Sequence, residues 1–302
     1  MRPLSLLLFY LITVFVGGAL VAPWLYFSAQ NLAGQFPALA NIASSPFHRY
    51  VNRSLIVFAV IGLVPLLRGL GIKTWCDLGF GGEQKGKNWL MGFLLGLVSL
   101  AFVAGVAVAV GARELNLSHE PARFIRHLFN ATLAAVVVSV LEEFIFRGGV
   151  FGGLRKTVSW KTALIVSSAV YALVHFFARP APPESINWAT GLFVLGQMLR
   201  GFTDFQTLIP AFLNLLLAGM ILGIAFQFTR SLYLSIGLHA GWIFWLKSYG
   251  FLTRETAGAN VWLWGTGKLI DGWMALFILT IVLLLVWKVG KRQSRMNTNK
   301  HE

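Results

Sequence analysis

Asn130–Leu154 reads NATLAAVVVSVLEEFIFRGGVFGGL, and the fold turns on how this stretch is read. It is long and apolar enough to cross a membrane, for which about 20 residues suffice. Yet Glu142, Glu143 and Arg147 fall within it. Each acid or Arg at the centre of a span costs about 2.5–3.5 kcal/mol on insertion, so three together need compensation. Helical geometry separates them. Glu143 and Arg147 are four residues apart and share a face, where they can form a charge-assisted pair. Glu142 points about 100° away, and Phe146 occupies the position where its opposite charge would sit. That geometry predicts a carboxylate facing a cavity, where desolvation favours proton uptake and general-base work. The competing reading makes the three charges a solvated helix end, softened by Gly148, Gly149, Gly152 and Gly153.

Outward from this helix, the whole chain has the composition of a membrane protein. Of its 302 residues, 57% are hydrophobic and only 12% charged, against about 25% charged in soluble domains. Too little polar surface remains to cover a water-exposed globule. The single cysteine, Cys76, excludes an intrachain disulfide framework and a cysteine metal site. A net charge of +14 admits nucleic acid binding in principle. The basic residues, however, lie between apolar segments and in the tail Lys288–Lys300. That pattern orients a membrane protein and touches anionic lipid headgroups, so membrane lipids are the expected partner and nucleic acid is not.

Eight apolar segments are expected as helices, near 4–27, 54–70, 89–110, 128–154, 162–177, 207–228, 232–249 and 272–289. Pro180, Pro182 and Pro183 interrupt the fifth connection, whose stretch Trp188–Leu199 suits a short interfacial or re-entrant helix. Arg2, Arg68, Lys73, Lys85, Lys87, Arg155, Lys156, Lys161, Arg230 and the tail bases share one side. Most loop acids (Glu114, Glu120, Glu184, Asp204, Glu255, Asp271) fall on the other. The positive-inside rule then places both termini in the cytoplasm. The fold class expected is all-α, a polytopic bundle of about eight transmembrane helices enclosing a polar intramembrane cavity. It divides into N-terminal helices over 1–127, a core over 128–250 and a last helix with a basic tail over 251–302.

Two more ionisable residues stand in apolar helices. His175 follows Tyr171 by one turn, and Tyr171 could orient the ring or simply pack. His239 sits among Gly237, Ala240 and Gly241, small residues that let helices approach closely, with Ser235 one turn away as a hydrogen-bond partner. Each histidine alone reads equally as a structural interhelical residue. Glu on one span with His on two others forms a general-base constellation able to activate water and stabilise an oxyanion.

These residues resemble the motifs of the CPBP intramembrane proteases, the CAAX protease family that includes the type II CAAX prenyl endopeptidases. Glu142–Arg147 is an EExxxR, Tyr171–His175 is close to FxxxH, and His239 stands where a third-motif His belongs. The resemblance implies that Glu142 and His175 activate water, that Glu143 and Arg147 orient the site, and that His239 helps to form the oxyanion hole. Tyr171 replaces the usual Phe. The third motif is commonly HxxxN, but Ile243 holds the Asn position and an aliphatic chain cannot donate a hydrogen bond. Asn214 or the Trp242 indole are the side chains available to replace it. The implied activity is endopeptidase cleavage of a peptide or lipidated-protein substrate near its C-terminus or membrane-proximal part, in the plasma (inner) membrane of a bacterium. No cofactor is expected. Zn²⁺ is the alternative, with Glu142, His175 and His239 as its ligands, since two His and a Glu form a zinc-like set although HExxH is absent. The competing functions are a non-catalytic scaffold or bacteriocin-immunity-like protein, for which Ile243 argues, and a proton-coupled transporter.

Overall fold

A computed structural model of the chain describes residues 3–82, 84–178, 180–202 and 205–298. Arg2, Asp204 and Lys300 of the charge count lie outside the described residues. The chain forms helices α1 (Pro3–Ala33), α2 (Phe47–Gly69), α3 (Lys85–Ala109), α4 (Pro121–Leu154), α5 (Trp160–Val174), α6 (Thr190–Met198), α7 (Phe205–Thr229), α8 (Leu232–Leu252) and α9 (Trp273–Thr298). Among the described residues, α1, α2, α3, α4, α7 and α9 are long and apolar enough to cross a membrane. Their outward residues, such as Ile61, Phe102 and Leu284, are apolar and exposed. Water does not accept such surfaces on every side, whereas lipid does. The protein is an all-α polytopic membrane protein.

The chain divides into two compact units, Met1–Gly71 with Val174–Phe205, and Ile72–Leu173 with Gln206–Glu302. In the first, α1 lies against α2 through Gly17 and Gly18, which face Phe58 and Leu55 and leave no room for a β-carbon. Its core gathers Ala22, Phe47, Tyr50, Val51, Val194 and Met198. The last two come from α6, so the stretch between the fifth and sixth expected spans is a nine-residue helix, far too short to cross a bilayer.

The second unit is built around α8. This 21-residue helix carries His239 and Lys247, is polar enough to fall outside the membrane-crossing set, and is buried almost throughout from Leu232 to Ile243. Its surroundings are protein rather than lipid. Gly92 and Gly96 of α3 meet the α8 backbone, while Gly237 and Gly241 meet that of α3, so the two main chains touch. Small residues permit this approach and dispersion at close range rewards it. A methyl group at Gly237 would press into the Trp89 carbonyl. We expect Gly237→Ala to destabilise the protein by about 1–3 kcal/mol through overpacking, read as a lowered thermal midpoint in detergent. An unchanged midpoint would contradict this packing.

Two short strands absent from the sequence reading join the ends of α3 and α8. In β1 (Arg113–Leu115) and β2 (Thr253–Glu255), Arg113 pairs with Glu255, Glu114 with Arg254 and Leu115 with Thr253, antiparallel. Buried Arg113 donates to Thr253 Oγ1 at 3.2 Å and lies over the Tyr249 ring, satisfying a charge that a three-residue strand alone would leave stranded.

The loop before α3 leans on the glycine-rich end of α4, where the Leu78 carbonyl faces Gly148. Asp77 shapes it by accepting from the backbone N–H groups of Lys73 and Thr74 and from the Thr74 hydroxyl, each at 3.0 Å. The two backbone donors, then the hydroxyl, pull its carboxyl down to about 2. A depressed carboxyl stabilises the fold above its unfolded value near pH 4, and that contribution disappears as pH falls toward 2. Asp77→Ala is expected to speed tryptic nicking at Lys73 at neutral pH; an unchanged nicking rate would contradict the loop's dependence on this turn.

Candidate active site

Beyond Glu142, α4 widens into a π-helical turn from Glu143 to Phe151. Such turns are rare and often accompany functional sites. Gly148, Gly149, Gly152 and Gly153, all buried, accommodate it. Glu143 is fully buried and Arg147 nearly so, and Arg147 Nη1 stands 2.9 Å from Glu143 Oε1. The pairing expected from their spacing is present. Arg147 also donates from Nη2 to the Gly219 carbonyl of α7 at 3.4 Å and lies with its guanidinium 4.3 Å from the Tyr171 ring centre. These contacts bring α4, α5 and α7 to one point.

His239 enters from α8, 4% exposed. Its Nδ1 is 2.9 Å from Glu143 Oε1, the oxygen that also faces Arg147. Its Nε2 points at Glu142 Oε2, 3.7 Å away, and lies 3.3 Å from the Tyr171 hydroxyl. One imidazole thus spans two neighbouring carboxylates through its two nitrogens. A carboxylate held by a guanidinium only accepts hydrogen bonds, so Nδ1 carries the proton and Nε2 presents its lone pair in the neutral ring. The Glu142 side chain keeps 24% exposure where that of Glu143 keeps none, the asymmetry expected of a working group beside a supporting one.

Several expectations change. Ser235 donates to the Leu232 carbonyl at 3.0 Å rather than to His239; the acceptor one helical turn back is nearer to its hydroxyl. Neither proposed substitute at the Ile243 position has a donor to offer. Asn214 Nδ2 donates to the carbonyls of Ile270 at 2.7 Å and Gly272 at 3.0 Å, and Trp242 Nε1 donates to Ser99 Oγ at 3.0 Å. Ile243 itself packs with Ala135 and Ala240 against Phe93, Val138 and Phe244. The two signals missed in the sequence were Glu143 serving His239 as well as Arg147, and the polar end of Tyr171 entering the site. The position of Tyr171 one turn before His175, and its replacement of the motif's usual Phe, hinted at the second.

His175, the first residue past α5, is exposed and belongs to the other compact unit; its part in the chemistry rests on the motif that it completes. For zinc, the cluster offers Glu142 Oε2 and His239 Nε2 as facing donors, while His239 Nδ1 is committed to Glu143. Two donors fall short of the three protein ligands that a catalytic zinc takes, and no group of three potential ligands occurs among the described residues.

Residues 124–245 match a family model described as Rce1-like, type II CAAX prenyl endopeptidase Rce1-like. No curated protein and no solved structure matches the chain. The matched segment contains every residue of the cluster, from Glu142 on α4 to His239 on α8, and over that segment the chain is similar to the type II CAAX prenyl endopeptidases, a group of peptide hydrolases.

Proposed function

We propose that this protein is an intramembrane endopeptidase that hydrolyses a peptide bond in the membrane-proximal or C-terminal part of its substrate. The observation that carries the reading is His239 held between two adjacent carboxylates, Glu143 at one nitrogen and Glu142 at the other, inside apolar helices. A purely structural histidine needs one partner, and one buried carboxylate fewer would be cheaper.

In this mechanism Glu142 takes a proton from water as the oxygen attacks the carbonyl carbon. The carbonyl π pair moves onto oxygen. Glu142 hands the water's proton across 3.7 Å to Nε2 of His239, which turns Nε2–H toward that oxyanion while Glu143 with Arg147 fixes the ring. Collapse breaks the C–N bond, and the same proton returns through Glu142 to the leaving amine. Each step uses side chains and water alone. Cleavage is therefore expected to survive exhaustive chelation; loss of activity that zinc restores would contradict a metal-free mechanism. The family's name directs the substrate search to prenylated tails, and the basic tail suits a plasma membrane protein with both termini in the cytoplasm.

One observation favours a second reading. With Ile243 in apolar packing and Asn214 and Trp242 committed elsewhere, a non-catalytic scaffold would also explain the buried cluster. The experiment that separates them measures cleavage of quenched fluorogenic peptides, one ending in a farnesylated Cys-aliphatic-aliphatic-X tail and one unprenylated, by purified protein. The endopeptidase reading expects cleavage by the wild type, reduced about 10²-fold or more in folded His239→Ala. A scaffold cleaves neither peptide.

A further inference from the structure

We infer that the Tyr171 hydroxyl is a catalytic hydrogen-bond donor, supplying to the oxyanion the bond that Ile243 cannot. The inference rests on the endopeptidase reading above and adds a residue to it.

The argument starts from the tautomer of His239. With Nδ1–H bound to the Glu143 carboxylate at 2.9 Å, Nε2 of the neutral ring is an acceptor. The Tyr171 hydroxyl, 3.3 Å from Nε2, is then the donor of that pair. In the resting site the O–H proton therefore points at Nε2, beside Glu142. Once His239 receives from Glu142, across 3.7 Å, the proton that water gave up, Nε2 no longer accepts, and the hydroxyl is released toward the nearest negative oxygen. With the two heavy atoms 3.3 Å apart, an oxyanion can sit within about 3 Å of both. Proton gain by His239 thus creates two donors at one point at the moment when negative charge appears there.

The surroundings hold the hydroxyl in place. Tyr171 is 3% exposed, packs edge-on against Phe146 with ring centres 5.2 Å apart, and carries the Arg147 guanidinium on its ring face. A cation on the ring face draws electron density from the phenol and strengthens its O–H as a donor. Phe at this position would keep the ring contacts and lose the hydroxyl with its bonds to His239 and Arg147. The other candidate donors near the third motif are engaged: Asn214 holds two carbonyls and Trp242 holds Ser99. No bond to Tyr171 breaks in the reaction; its proton stays on the phenol oxygen while C–O forms and C–N cleaves.

The test compares wild type, Tyr171→Phe, Ile243→Asn and the double variant on the farnesylated fluorogenic peptide, with Glu142→Gln as the inactive reference. Tyr171→Phe is expected to lower kcat about 10²-fold, in the range for one oxyanion donor, with KM within about threefold and the thermal midpoint unchanged. Ile243→Asn in the Tyr171→Phe background is expected to recover at least about tenfold of the loss by restoring a donor from α8. Wild-type kcat in Tyr171→Phe, beside an inactive Glu142→Gln, would overturn the inference and leave the endopeptidase reading standing. So would a loss of kcat matched by a lowered midpoint, which marks a packing role. Absence of cleavage by the wild type, or full activity in Glu142→Gln, would overturn both.

Discussion

Glu142→Gln is expected to fold normally and to lose peptide cleavage, with kcat reduced by about 10²–10⁴, the usual worth of a positioned general base. The substitution keeps the shape of the side chain and removes only its ability to accept a proton. Glu142 is the less buried of the two acids and faces His239 across 3.7 Å, so the protein tolerates an uncharged amide there. KM should change little, because a group that works on the water's proton acts in the transition state rather than in substrate binding. Steady-state kinetics with circular dichroism on the same preparation checks this. A kcat within threefold of wild type would remove Glu142 from the chemistry.

The opposite outcome is expected one helical turn away. Arg147→Ala should cost stability first and activity only as a consequence. It strips Glu143, fully buried, of its guanidinium at 2.9 Å, and removes the bond to the Gly219 carbonyl that ties α4 to α7. Removing one partner of a buried pair typically costs about 3–5 kcal/mol, since the remaining charge has no solvent. His239 Nδ1 still serves Glu143, which places the expected cost toward the lower end. Replacing both members, Glu143→Gln with Arg147→Met, should recover much of the stability while cleavage stays low, because His239 loses the carboxylate that sets its tautomer. Thermal unfolding in detergent distinguishes the cases; an Arg147→Ala variant as stable as wild type would show that the pair carries no structural load.

The helices were legible because lipid imposes a length and an apolar composition on a span, and both can be read without tertiary information. The i, i+4 spacing of Glu143 and Arg147 made their pairing legible for a similar reason, since both groups lie on one element. What the sequence hid is what depends on neighbours. His239 chooses Glu143 over Ser235 because α8 and α3 touch main chain to main chain, which fixes where the imidazole lands. Asn214 looks like a free amide until the chain before α9 folds over it. The π-turn after Glu142 has no sequence signature beyond a density of glycines, and strands as short as β1 and β2 leave no periodicity to detect. Tyr171 was visible as a departure from the motif. Its hydroxyl acquired meaning only from the 3.3 Å separation from Nε2.

The central claim is that this cluster activates water against a peptide bond. The most direct measurement is cleavage of the farnesylated peptide in water enriched in ¹⁸O, with the products analysed by mass spectrometry. The mechanism predicts one ¹⁸O atom in the newly formed carboxyl group with wild-type protein, and no product with Glu142→Gln. An uncleaved peptide, or labelled product formed equally by the Glu142→Gln variant, would contradict it.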